Sequence, residues 1–345
     1  MQSVDWKNAA EVLDNCKTVV LTTHVSPDGD GIGSEVAMYH FLKERGKTVH
    51  IYNPSPLPSE YKFLDSGDII EEYSPDFRSV VENSDAFVIL DIGAYARLRD
   101  IGGVIQKSPG TKICIDHHPA KGKNHFDLEY IDIHAAATGM MIYDLIKFMD
   151  PDGLNFEIAQ GLYCALMTDT GSFRFSNTTP HAHEMAKELL EYGVEPYKVF
   201  EHVYESYSIE RIKLLGKIID NLHFTDDQKI AYFPVSLEMQ DAVGAETSDV
   251  EGFTDFVRSV GGIEVAVMFH EVAPERTRIN FRSKGRVVIN TVAKQFGGGG
   301  HKFAAGAVIE LPYEQAIPKV VEAVQEAVDS YEEVENELVE EGNQA

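Results

Sequence analysis

Cysteine is scarce in this sequence: Cys16, Cys114 and Cys164 stand far apart, with no Cys-x-x-Cys pair. That pattern excludes a disulfide framework and a thiolate zinc site, and it fits a reducing compartment. No run approaches the roughly 18 apolar residues that a membrane span needs, so no membrane partner is expected. The opening segment MQSVDWKNAAEVLDNCK lacks a basic start followed by an apolar core. No signal peptide is expected, and the cytoplasm is the expected compartment. Positive charge is short as well: 30 Lys and Arg face 56 Asp and Glu, a formal charge of −26. Such a field repels a long polyanion such as duplex DNA. A salt-rich cytoplasm would favour the same total, so the charge alone names no ligand.

What is present is an ordinary globular composition, 43% hydrophobic over 345 residues, enough for two domains. Buried-strand patterns at 18–23, 48–53, 85–93 and 111–119 alternate with helical patterns at 6–17, 33–46, 137–149 and 156–168. This alternation predicts an α/β domain with a doubly wound, mostly parallel sheet. From 183 to 220 the pattern is helical. From 222 it alternates like strands of a mixed sheet, with helices at 249–260, 288–296 and 312–332. The expected boundaries are a first domain at 1–195, a helical connector at 196–221, a smaller α/β domain at 222–332 and an acidic tail at 333–345.

Each polar cluster of the first domain follows an apolar segment. THVSPDGDGIGS (23–34) carries His24, Asp28 and Asp30 after the first strand. Asp91 ends the third strand, Asp116-His117-His118 end the fourth, and Asp169 closes the helix at 156–168. In doubly wound sheets the carboxyl edge is where ligands bind. A single Asp there is more often a helix cap or turn former, but four such pieces seldom coincide. Carboxylates with a minority of imidazole suit Mn²⁺ or Mg²⁺, and there are enough for two ions with one ligand shared. Two ions about 3.5–4 Å apart can generate a hydroxide and clamp a phosphoryl group.

A second signal lies at 276–302, RTRINFRSKGRVVINTVAKQFGGGGHK, with seven Lys and Arg and no Asp or Glu. An acid-free basic stretch in so acidic a chain predicts an anion site. Its GGGGH (297–301) offers bare backbone that a ligand can approach, with amide donors for phosphate.

These pieces resemble the four motifs of the DHH phosphoesterase superfamily, and GGGGHKFAAGA (297–307) resembles the domain associated with one branch of it. The resemblance covers nearly the whole chain and is closest to the oligoribonuclease (nanoRNase) and pAp phosphatase group. It implies two Mn²⁺ per chain, with Mg²⁺ or Co²⁺ as substitutes. His24, Asp28 and Asp91 would hold one ion, and Asp30, Asp91, His117 and Asp169 the other. Asp116 would orient its neighbours, and His118 would face the scissile phosphate as donor or proton source. Arg97 stands where the family often has an arginine, with Arg99 as a competitor. Arg282, Ser283, Gly299, Gly300 and His301 match positions that contact the distal nucleotide, and Lys302 follows them. Phe303 stands where relatives often carry a small polar residue. Within the turn, Pro27 and Gly29 would shape the chain between the two aspartates, while Gly31 and Gly33 would let the next helix start close to the metals.

The implied activity is Mn²⁺-dependent hydrolysis of short oligoribonucleotides to 5′-mononucleotides, and of pAp (3′-phosphoadenosine 5′-phosphate) to AMP. The implied nucleophile is a hydroxide activated by the two ions. Rival activities are a phosphodiesterase for cyclic-di-AMP or pApA, and a RecJ-like single-strand exonuclease. A rival of another class is a nucleotide-binding regulatory module without chemistry. Linear or cyclic dinucleotides are therefore further candidate partners, and a homodimer is compatible with the sequence.

Overall fold

The structure, a computed structural model, describes residues 4–119 and 125–342. It divides into two compact units, Met1–Ser206 and Tyr207–Ala345. In the first unit, six strands form one parallel sheet: β1 (Thr18–Thr22), β2 (Thr48–Asn53), β3 (Ile70–Glu72), β4 (Ala86–Leu90), β5 (Thr111–Asp116) and β6 (Leu128–Ile131). Their order is β3-β2-β1-β4-β5-β6. β1 and β4 are buried along almost their whole length because helices cover both faces, which is why such strands read as unbroken apolar runs. Val19, Leu21, Val88, Leu90, Ile113 and Ile115 feed one core. Val20, Phe87, Ile89 and Cys114 feed the other. β3 and β6 escaped the sequence reading because they are short and half exposed, with no apolar run to mark them.

The strand order reverses between β1 and β4, and a doubly wound sheet opens a crevice at such a point. The helix expected from residue 33 begins earlier, at Gly29, and runs to Glu44. Asp28 makes that start possible as the N-cap, its carboxylate accepting the N–H groups of Asp30 and Gly31. The helix packs against helices Thr138–Met149 and Phe156–Asp169. The glycines of the turn also set how closely the helix packs. A Cβ on Gly33 would lie 2.2 Å from the Gly161 carbonyl oxygen, and one on Gly31 would lie 2.5 Å from Thr23 Oγ1. They allow the helix to approach helix Phe156–Asp169 and the end of β1. Asp28 and Asp30 are held in place by that packing.

The second unit carries a mixed sheet of β7 (His223–Phe224), β8 (Ile230–Val235), β9 (Val265–Ala273), β10 (Arg276–Ser283), β11 (Gly299–His301) and β12 (Ala304–Ile309). The order is β11-β12-β10-β9-β8-β7; β8 and β9 are parallel and the other pairs antiparallel. The expected connector does not stand apart. Helix Pro196–Tyr204 joins a core of the first unit through Val199 and Val203, whereas helix Ile209–Asp220 joins a core of the second unit through Leu214 and Ile218. The helix expected at 249–260 is two pieces, Thr247–Val250 and Phe253–Arg258, broken where Gly252 takes a φ of +79°. The expected acidic tail continues the last helix as far as Gly342, and residues 343–345 lie outside the described residues. Among the described residues no helix is long and apolar enough to cross a membrane.

Candidate metal centre

The carboxyl ends of β1, β4 and β5 bring the polar clusters of the first unit together. His24 is buried, with Nε2 at 3.6 Å from Asp28 Oδ2 and 3.5 Å from Asp91 Oδ2. Its Nδ1 lies 2.9 Å from the Val25 carbonyl oxygen, which fixes the ring with Nε2 toward the carboxylates. Asp28 divides its carboxylate between two tasks. One oxygen caps the helix and the other faces His24.

Asp91 follows β4 in a left-handed conformation, φ +50°, that a non-glycine residue adopts only at a cost. Its N–H donates to the Ile115 carbonyl at 3.1 Å, which locks the strained backbone to β5. Oδ2 faces His24, whereas Oδ1 lies 3.6 Å from His117 Nε2 and 3.0 Å from His118 Nδ1. His117 Nε2 also lies 3.6 Å from Asp30 Oδ2 and 3.5 Å from Asp169 Oδ2. Asp116 stands behind this row and accepts from Gly93 N at 2.6 Å, His118 N at 2.9 Å and His118 Nδ1 at 2.9 Å. Arg97 is half buried beside the same turn. Its Nη1 donates to the Ile92 carbonyl and approaches Gly93, against which the His118 side chain also packs. Arg99 is exposed and opens the next helix.

The sequence reading missed the segment that ties these groups together, Ala135–Gly139. The Ala135 carbonyl lies 3.3 Å from His117 Nδ1. The Thr138 and Gly139 N–H groups donate to the two oxygens of Asp30 at 2.7 and 2.8 Å, so Asp30 caps helix Thr138–Met149 from another element. The Thr138 hydroxyl donates to Asp91 Oδ1 at 3.2 Å. Asn177 Nδ2 donates to the Ala136 and Asp169 carbonyls at 2.8 and 3.0 Å and holds Asp169 to this segment. Its one sequence signal was a threonine at a helix start, too common to single out.

The six expected ligands, together with His118, form overlapping sets: His24, Asp28 and Asp91; Asp30, His117 and Asp169; and Asp91 with His117 and His118. Their chemistry fits a divalent cation. His117 Nε2 is buried without a hydrogen-bond partner and faces three carboxylate oxygens at 3.5–3.6 Å. That separation is too long for a good hydrogen bond. It suits donor atoms that share an ion at about 2.1 Å.

The electrostatics point the same way. Burial penalises the charged ring of His24, but the Asp28 and Asp91 carboxylates outweigh it and push its pKa up to about 9. His118 is likewise opposed by burial, yet Asp116 and Asp91 push it up to about 10. Burial, then the Asp91 charge, raises Asp30 well above the usual carboxylate range. Burial raises Asp169 to about 6 despite the opposing His117. For Asp91 burial acts upward, but His118 and His24 hold it well below that range. Carboxylates this close need positive charge, and a cation supplies it.

In the second unit, register sorts the basic stretch. Arg282 pairs with Ala304 on one side of β12 and His301 pairs with Ala304 on the other, so all three side chains share one face. Ser283, the next residue on β10, points to the opposite face. It is fully buried, and its hydroxyl accepts the Gly285 N–H. Arg282 and Ser283 therefore cannot present side chains to one ligand. The stretch is also less free than its composition suggests. Asp255 pairs with Arg282 at 3.1 Å, Glu264 with Arg286 at 3.2 Å and Glu310 with Arg276 at 3.3 Å, all acids from other segments.

Two of the glycines serve the sheet. A Cβ on Gly298 would meet the Gly306 carbonyl at 2.1 Å, and one on Gly300 (φ +138°) the Ala304 carbonyl at 2.6 Å. Only open space lies beside Gly299. Lys302 is exposed, and its carbonyl accepts the Ile289 N–H; that of Phe303 accepts the Ser283 N–H.

A family model described as the DHH family, N-terminal domain, matches residues 18–166, and one for the DHHA1 domain matches residues 227–330. The chain is 33% identical over 321 residues to the bifunctional oligoribonuclease and PAP phosphatase NrnA of Thermus thermophilus, covering 92% of each. It is 30% identical to the NrnA of Bacillus subtilis, over 85% of this chain and 89% of that one. Among solved structures it is similar to an exopolyphosphatase-related protein from Bacteroides fragilis, with 27% identity and a TM-score of 0.88 over 95% and 96% of the two chains. A parallel sheet with its acidic and histidine clusters at the switch point, followed by a mixed-sheet unit that carries GGGGH, identifies the chain as a member of the DHH family that carries a DHHA1 domain.

Proposed function

We propose that this chain is a Mn²⁺-dependent phosphoesterase that cleaves short oligoribonucleotides to 5′-mononucleotides and removes the 3′-phosphate of pAp. One observation carries the reading: His117 Nε2, buried and unpartnered, faces the carboxylates of Asp30, Asp91 and Asp169, while His24 faces the other oxygen of Asp91. Two relatives named as oligoribonuclease and PAP phosphatase, aligned over most of their length, support the substrate class.

In this reading His24, Asp28 and Asp91 would hold one cation, and Asp30, Asp91, His117 and Asp169 would hold a second. Bound cations would acidify a water nucleophile and neutralise charge on the phosphoryl oxygens. The chain's own residues do the rest. Asp116 fixes His118 through Nδ1 and keeps the ring protonated, so the proton for the leaving oxygen comes from Nε2, the nitrogen turned away from Asp116. Arg97 adds positive charge beside that ring. In the second unit Arg282, Gly299, His301 and Lys302 would hold the nucleotide that does not react, while Gly300 and the buried Ser283 serve the sheet itself.

A panel with Mn²⁺ tests the proposal: RNA of two to twenty-four nucleotides, pAp, cyclic diadenylate and pyrophosphate. The fastest turnover should fall on RNA of two to five nucleotides and on pAp. Preferred hydrolysis of cyclic diadenylate or of the longest RNA would replace this reading with one of its rivals.

A further inference from the structure

We propose that Thr138 is a positioning residue for the metal centre: its hydroxyl fixes the rotation of the Asp91 carboxylate so that each oxygen serves a different group of ligands. This inference rests on the two-cation reading above. Asp91 Oδ2 faces His24, the ring that also meets Asp28, while Oδ1 faces His117 and His118. A carboxylate that bridges two ions must keep this division, and rotation about its χ2 is soft. The strained backbone of Asp91 aims the side chain but does not set that last torsion.

Among the described residues, three imidazoles (His24, His117, His118) and the Thr138 hydroxyl face the Asp91 carboxylate. His24 and His117 would turn their lone pairs toward a bound cation and could no longer donate to Asp91, and the His118 Nδ1–H, 3.0 Å from Oδ1, is shared with Asp116 at 2.9 Å. The Thr138 hydroxyl is a neutral donor whose bond, 3.2 Å to Oδ1, does not depend on a loaded site. Nor is the hydroxyl needed for capping. Thr138 is the first residue of its helix, the cap position is Ala137, and Asp30 accepts the first two N–H groups. Thr138 and Asp91 are both buried, so water does not compete for the bond. The surrounding segment is held on both sides, by Asp30 and by Asn177, and brings the hydroxyl to a fixed place.

The test compares Thr138→Val, which keeps the shape and the backbone N–H, with Thr138→Ser, which keeps the hydroxyl. Mn²⁺ binding is titrated and the electron paramagnetic resonance spectrum recorded at two equivalents, alongside the melting temperature of the metal-free protein. Loss of a hydrogen bond to a metal ligand typically costs about 10–100-fold in affinity. Thr138→Val should therefore bind one Mn²⁺ near normally, bind the second at least about tenfold more weakly, and lose the spin-coupled signal of a shared carboxylate. Thr138→Ser should restore both. If Thr138→Val binds two ions with the wild-type affinity and spectrum, the inference is wrong. A Thr138→Ser protein as impaired as Thr138→Val also overturns it, because packing and not the hydroxyl would then be what matters. A wild-type protein that binds only one ion refutes the two-cation reading itself, and this inference with it.

Discussion

Asp91 has to satisfy neighbours on both of its oxygens from a strained backbone, so no other residue can supply its role. Asp91→Ala should abolish turnover and remove most bound metal, as read by metal analysis of the purified protein. His117 and His118 are adjacent in sequence but differ in surroundings. His117→Ala should lose metal. His118→Ala should keep it and lose about 10²–10⁴-fold in kcat, the usual range for a proton donor; equal metal loss in both would end that division of labour. Metal affinity should also depend on pH through His24. Its pKa lies near 9 in the metal-free protein, above its ordinary 6.5, so at neutral pH a cation must displace a proton. Mn²⁺ affinity should rise with pH, by up to about tenfold per unit, and level off above about 9. Binding that is flat between pH 6.5 and 8.5 would show that His24 is not a ligand. At this scale the candidate ligands stood out in the sequence, because each follows an apolar run. Thr138 and Asn177 were not, because their neighbours are remote in the chain.

At the level of elements, the glycines separate packing from ligand contact. Gly33 lies where helix Gly29–Glu44 meets helix Phe156–Asp169, and a methyl group there would strike the Gly161 carbonyl at 2.2 Å. Gly33→Ala should destabilise the first unit by about 1–3 kcal/mol, the usual range for overpacking, measured by thermal or urea unfolding. In the second unit, Gly300→Ala combines a positive φ with a clash against Ala304 and should destabilise β11. Gly299→Ala meets nothing within 4 Å. It should melt like the wild type and, if this strand faces the nucleotide, lower kcat/KM for dinucleotides while hydrolysis of bis(p-nitrophenyl) phosphate barely changes. Loss of both activities together would make Gly299 a structural residue as well. The four glycines of GGGGH look equivalent in sequence. Pairing of β11 with β12 makes them different.

For the whole molecule, each unit has its own apolar core, while the candidate ligands all lie in the first. A cation that binds only the folded state stabilises it by about 2.7 kcal/mol at a hundredfold excess over Kd. Calorimetry should show Mn²⁺ raising the transition of the first unit and EDTA reversing it, with the second unit's transition unmoved. A uniform shift of both would mean that the units unfold as one. The net charge of −26 bears on substrate length. Long RNA should be repelled more than a dinucleotide, and salt screens such repulsion within about 10 Å at 0.1 M. The ratio of dinucleotide to twenty-four-nucleotide turnover should fall as salt rises. An unchanged ratio would remove charge from the account of length selection.

The amino-acid sequence by itself determined the elements whose signal is local. Buried parallel strands are unbroken apolar runs, and polar residues that close them mark the carboxyl edge, so the α/β class and the six candidate ligand positions could be read without coordinates. Short strands at the sheet margin, β3 and β6, have no such signal. Only the tertiary structure decided which face each residue presents and which distant groups meet. Period-two alternation and the register of β10 against β12 turn Ser283 inward and Arg282 outward. Asp255, Glu264 and Glu310 neutralise basic residues that stand among no acids in sequence. The Thr138 hydroxyl, 47 residues from Asp91 in the chain, lies 3.2 Å from it in the fold. Hydrogen bonds and ion pairs act over a few ångströms of space, and separation along the chain says nothing about them until packing brings the partners together.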